Sequence, residues 1–187
     1  GDEGNTVVVP AGSFFCAVLK WDDWPSSAED YDLYLTRSPG GGIVSSSNGP
    51  QTGLEPPTEL ACAINRATTA VTYALGIKAH NVTGKPIRFD LFVYPGPNLE
   101  PRVAEGRVTE PGTSSAALTV GAACWLDNRL EDYSSQGPTI DARTKPDLIG
   151  PDSVSSFSYG PFSGCGASGF AGTSAASPRV TAPAALV

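Results

Sequence analysis

Between Asn5 and Tyr94, apolar and polar positions alternate in short runs separated by turn-forming residues. Thr6–Val9 and Ser13–Lys20 are β-rich and are split by Pro10-Ala11-Gly12. In Tyr31–Thr36 the period of two puts Tyr31, Leu33 and Leu35 on one face and Asp32, Tyr34 and Thr36 on the other. Gly40-Gly41-Gly42 turns the chain into Ile43-Val44, and Glu59–Asn65 follows. Val71–Ala79 places Val71, Tyr73, Leu75 and Ile77 on one face, and Arg88–Tyr94 keeps Phe89, Leu91 and Val93 in phase. Short runs at regular spacing with turn signals between them predict an antiparallel β-sandwich, jelly-roll-like, over residues 5–98. Trp21, Trp24 and the Tyr and Phe positions are read as its core and rim rather than as a binding platform.

Residues 99–187 follow another pattern. Leu118–Ala123 reads as one strand, and Gly172-Thr173-Ser174-Ala175-Ala176-Ser177-Pro178 reads as a serine at the start of a helix. Gly172 permits a sharp turn, while Ala175, Ala176 and Ser177 are expected to keep bulk away from a substrate carbonyl. Pro178 is expected in the first helical turn, where a missing N–H costs little. Ser174 would then stand at the positive end of the helix dipole, which favours an oxyanion. The plainer use of Ser174 is as a helix cap. Pro183 comes later and is expected to remove a hydrogen bond and kink the helix, at ~3 kcal/mol or more.

Composition narrows the setting. With 19 Asp+Glu against 12 Lys+Arg the net charge is −7, and no basic cluster is present, so nucleic acid is not expected as a partner. No apolar stretch approaches the ~20 residues of a membrane-spanning helix. The 4 cysteines, Cys16, Cys62, Cys124 and Cys165, are too widely spaced for a C-x-x-C zinc site. Two fall in each half, so Cys16–Cys62 and Cys124–Cys165 are the preferred disulfides, with buried free thiols as the alternative. Asp22, Asp23, Glu29, Asp30 and Asp32 crowd near a turn and would suit Ca²⁺, although no EF-hand loop is present. The alternative there is turn capping by Asp22 and Asp23 and amide pairing by Asp30 and Asp32. No other cofactor is expected. Asn81-Val82-Thr83 has the form of a glycosylation sequon.

Several further motifs stand in order. Leu118-Thr119-Val120-Gly121-Ala122, Ser134-Ser135-Gln136-Gly137-Pro138-Thr139, Lys145-Pro146-Asp147-Leu148 and the Gly172–Pro178 segment succeed one another. Together they resemble the C-terminal part of the catalytic domain of the subtilisin-like serine proteases (peptidase S8), over about residues 103–187. The resemblance implies an incomplete α/β segment over residues 99–187. It also implies an extracellular enzyme with protein or peptide substrates, and Ser174 as the nucleophile, with its own N–H as an oxyanion donor. Gly172, Thr173 and Pro178 support that motif. Peptide bonds would be hydrolysed through an acyl-enzyme.

The family's D-[ST]-G, H-G-T and A-G-N motifs do not occur in the chain. His80 is the only histidine, and its loop setting reads as structural rather than catalytic. Residues 1–187 are therefore expected to be a fragment that is inactive alone. Pro178-Arg179-Val180 replaces the family's P-H-V, and Asp152 replaces the glycine of its A-P-G. Leu19–Trp24 and Asp30–Leu35 resemble pre-peptidase β-sandwich modules, which would here be an insert within the catalytic domain. Two other readings are a catalytically dead relative with a binding or adhesion sandwich and, more remotely, a carbohydrate-binding sandwich with an unrelated tail.

Overall fold

A computed structural model of the chain describes residues 4–96, 98–161, 164–165 and 170–186. The chain divides into two compact units, Gly1–Val103 and Ala104–Val187.

The first unit is built from β1 (Asn5–Val9), β2 (Phe14–Trp21), β3 (Asp30–Arg37), β4 (Ile43–Ser47), β5 (Thr58–Ile64), β6 (Val71–Asn81), β7 (Phe89–Tyr94) and β8 (Leu99–Glu100). These form a sheet in the order β4-β3-β6-β1-β8 and another in the order β5-β2-β7, with antiparallel pairing throughout. The alternating apolar positions of both sheets meet in one core. Val7, Val9, Leu33, Leu35, Tyr73 and Leu75 come from the first sheet, and Phe15, Ala17, Leu19, Trp21 and Ala61 from the second. Each large side chain buried there contributes roughly 1.5–3 kcal/mol. Trp21 is fully buried, its ring edge-on to Tyr31 and Phe89, and its Nε1–H donates to Ser27 Oγ at 3.1 Å. That bond matters because an unpaired indole N–H in a core is costly. Cys16 and Cys62 face each other across β2 and β5 and are joined by a disulfide.

Two positions differ from the alternating pattern. Asp32 lies on the polar face yet is only 5% exposed, because β3 is flanked on both sides and Tyr34 Oη–H donates to the Asp32 carboxylate. Ile77 is in phase with Tyr73 and Leu75 but is exposed, since the 11-residue β6 extends past the core. β8 pairs with β1 through Val7↔Leu99 and Thr6↔Glu100, which places the division between the units after Val103 rather than at residue 98.

The second unit has a different construction. β9 (Val120–Cys124) and β10 (Leu148–Asp152) run parallel, and α1 (Thr173–Ala184) packs on both. Every residue of β9 is buried, and Val120 and Ala122 meet Ala176 and Val180 of the helix. At Gly150 a Cβ would lie 2.8 Å from Ala176 O and 2.9 Å from Val180 Cγ2, so only glycine lets α1 sit this close to β10. Lys145 Nζ–H donates to Ala117 O and to the Asp147 carboxylate, each at 2.7 Å, while Asp147 accepts the Thr119 N–H. This ties the K-P-D-L segment to the residues entering β9. Ser134 Oγ accepts the Ala122 N–H at 2.9 Å, anchoring the S-S-Q-G-P loop to the same strand. Cys124, at the end of β9, is bonded to Cys165.

Candidate functional site

The helix that carries Ser174 begins with a backbone conformation suited to glycine. Gly172 is its N-cap with φ 119° and ψ 169°, and no side chain caps the helix. Ser174 is therefore not a capping residue. The N–H groups of Ala175 and Ala176 turn back onto Gly172 O at 2.9 and 3.3 Å. The N–H groups of Thr173 and Ser174, one step earlier, have no intrahelical acceptor because they open the helix. Ser174 is exposed at the second helical position, beside these amides and at the positive end of the helix dipole.

Two expectations about this segment are corrected. Ala175 and Ala176 are 2% and 0% exposed, so their small size serves the packing of α1 rather than access for a substrate. Pro178 stands in the second turn, because the helix starts at Thr173. There its missing N–H leaves the Ser174 carbonyl without the usual i+4 donor. Pro183 falls one residue before the end of α1, where Ala185 and Leu186 donate to Thr181 O and Pro183 O. Pro183 has no N–H to donate to Arg179 O, so the expected loss of a helical hydrogen bond holds, but it falls in the last turn rather than in mid-course.

Asp152 is the residue that the sequence did not assign to the site. It ends β10 and is fully buried, and its Oδ2 accepts the Gly172 N–H at 2.9 Å and the Tyr133 hydroxyl. Its Oδ1 is buried with no hydrogen-bond partner among the described residues. Burial, and after it the hydrogen bond to Asp152, pushes the Tyr133 hydroxyl up to about 12. Asp152 lies opposite Cys124 across the parallel pair, so Asp152, Tyr133, the disulfide end of β9 and the Gly172 turn gather at the carboxyl ends of β9 and β10. Carboxyl ends of parallel strands are where open α/β sheets place their ligands. Arg179 donates through Nη2 to Val154 O at 3.5 Å, and its Nε is buried without a partner among the described residues.

The other sequence candidates lie elsewhere. His80 is an exposed residue of β6 in the first unit. Asp22, Asp23, Asp30 and Asp32 are not brought together as a ligand set. Asp22 accepts the Arg88 N–H; Asp23 pairs with Lys85 at 2.8 Å and accepts Ser27 Oγ–H; Asp32 holds Tyr34. The Lys85 ammonium, with Ser27, holds the Asp23 carboxyl below the usual carboxylate value. Glu29 accepts the N–H and hydroxyl of Thr83, and Asp30 Oδ1 is buried without a partner among the described residues. The group of potential metal-ligand atoms that does converge among the described residues is Cys124, Glu131 and Cys165, whose sulfurs are joined to each other. A cavity of about 390 Å³ lies against Gly121, Ser134, Gly137, Lys145 and Ile149, and Ser174 does not line it.

The model of the subtilase family, peptidase S8, matches residues 40–187. No curated protein and no solved structure matches the chain. No helix among the described residues is long and apolar enough to cross a membrane.

Proposed function

The chain belongs to the subtilase family, and from that membership we propose that it carries the nucleophile of a secreted serine endopeptidase, with Ser174 attacking the scissile peptide bond. One observation carries the assignment: Ser174 is exposed at the second position of α1, two residues after the positive-φ turn at Gly172 and beside helix-opening amides. In this reading Ser174 Oγ attacks the carbonyl carbon and loses its proton to a histidine base. The Ser174 N–H donates to the oxyanion, and the leaving amine takes the proton back as the acyl-enzyme forms. Water then releases the acyl group by the reverse sequence of proton transfers. Protein and peptide substrates follow from the family, and the two disulfides support an oxidising, extracellular setting.

The subtilisin order of the triad is Asp, then His, then Ser. We assign the aspartate, the histidine and the asparagine of the oxyanion hole to residues outside 1–187, so this fragment alone is inactive. The second unit is then an incomplete subtilisin-like α/β segment, and the first is a pre-peptidase-like sandwich inserted into the catalytic domain. Arg179 after Pro178 favours a second reading, a catalytically dead relative whose sandwich binds or adheres.

The test is Ser174→Ala in the complete protein. Peptide hydrolysis should fall by on the order of 10⁴-fold or more, and fluorophosphonate labelling should vanish. The 187-residue chain alone should take no label. A complete protein that hydrolyses nothing as wild type would establish the dead relative, and turnover that survives Ser174→Ala would remove Ser174 from the chemistry.

A further inference from the structure

We propose that Asp152 is a positioning residue for the nucleophile turn, holding the Gly172 amide so that Ser174 and the helix-opening N–H groups keep one geometry. The proposal rests on Ser174 being the nucleophile. Three observations carry it. Asp152 is 0% exposed, although an aspartate is rarely buried without a specific reason. One of its oxygens takes two donors, the Gly172 N–H at 2.9 Å and the Tyr133 hydroxyl, from segments 20 and 19 residues away. The residue it holds is the N-cap of α1, whose φ of 119° has no side-chain cap to fix it.

The chemistry of the contact suits the role. A carboxylate oxygen accepting a backbone N–H makes a shorter, stronger hydrogen bond than a neutral acceptor makes. Asp152 sits at the end of β10, and β10 is the strand against which Gly150 lets α1 pack. The clamp therefore connects the strand that seats the helix to the turn that opens it. Without it, Gly172 is free to sample other backbone conformations, since glycine is the least restricted residue. Ser174, two residues later, would lose its fixed angle to a substrate carbonyl. Misplacement of a reacting group by ~1 Å costs on the order of 10²-fold in rate.

The test compares Asp152→Ala and Asp152→Asn in the complete protease, with competent sites counted by fluorophosphonate titration. Asp152→Ala should lower kcat per titrated site by on the order of 10- to 100-fold, with KM within about twofold. Asp152→Asn retains a carbonyl oxygen for Gly172 and should recover most of that loss. A merely structural role would lower the number of titratable sites and leave kcat per site unchanged. In the 187-residue chain the Gly172 amide should lose its protection from hydrogen exchange in Asp152→Ala and keep it in Asp152→Asn. If Asp152→Ala does not fold, Asp152→Gly serves in its place. Loss of activity in Ser174→Ala together with unchanged kcat per site in the Asp152 variants would overturn the proposal alone. Activity that survives Ser174→Ala would overturn the reading beneath it.

Discussion

The close seat of α1 on β10 makes Gly150→Ala the most direct test of how Ser174 is held. The new Cβ would lie 2.8 Å from Ala176 O and 2.9 Å from Val180 Cγ2. An ordinary carbon–oxygen contact is about 3.3 Å or longer, so the helix must retreat by about 0.5 Å. A gap of that size already forfeits roughly a quarter of the dispersion energy across the contacts it opens. Overpacking of this kind costs ~1–3 kcal/mol, and the backbone atom among the clashing pair argues for ~2. For a unit of this size ~2 kcal/mol lowers the melting temperature by about 8–16 °C. Val180→Ala removes the clash with Cγ2 but not the clash with Ala176 O. The double variant should therefore be more stable than the sum of the single effects allows, by ~0.5 kcal/mol or more. Following the amide signals of Ala122 and Ala176 through a thermal melt reports on the second unit alone. A melting temperature for Gly150→Ala within about 1 °C of wild type would refute the packing argument, as would strictly additive single and double variants.

Three further outcomes follow from other parts of the chain. Replacing Cys16 and Cys62 with serine opens a crosslink between residues 46 apart, and chain entropy sets the loss at about 4 kcal/mol; urea melts of the first unit should show it, and an unchanged midpoint would count against the bridge. The Lys145 ammonium, and after it the Thr119 N–H, lower the Asp147 carboxyl below its ordinary value, so its stabilising contribution is present above the unfolded-state value and is lost as pH falls through the folded one. The acid side of a stability–pH curve should therefore flatten in Asp147→Asn, and an identical acid limb would contradict this. Tyr133 should titrate near 12 by ultraviolet absorbance, favouring the folded state below the unfolded-state value of ~10 and losing that stability as pH rises toward 12. Asp152→Asn should bring the Tyr133 value down only part of the way, because burial is the larger cause, and no change would argue against the contact.

How far the chain could be read from its sequence depended on whether the signal was local. The seven predicted runs appear as β1 to β7 because a strand with one covered face imposes a period of two on its own residues. β8 was missed because two residues, Leu99 and Glu100, are too few to show any period. Asp32 and Ile77 depart from the pattern for reasons outside their strands, namely the flanking of β3 and the length of β6. The same distinction separates Ser174 from Asp152. Gly172-Thr173-Ser174 is a local turn-and-helix signal that seven residues contain, whereas Asp152 meets Gly172 only through the folding of the second unit.

That difference also explains why the helix itself looks unpromising in sequence. α1 contains two prolines and buries only Ala175 and Ala176, so it lacks the broad apolar stripe that seats an ordinary surface helix. Its attachment comes instead from close approach, with Gly150 admitting Ala176 and Val180 and β9 presenting Val120 and Ala122. Close approach fixes distance well but leaves rotation and the first turn less constrained, since small side chains interlock weakly. A hydrogen bond from the same strand to the N-cap supplies the missing constraint, and Asp152 provides it two residues after Gly150. The two residues act as a pair: Gly150 sets how near the helix lies, and Asp152 sets how its first turn is aimed. Substituting either should disturb Ser174, Gly150→Ala through the stability of the second unit and Asp152→Ala through the rate per competent site.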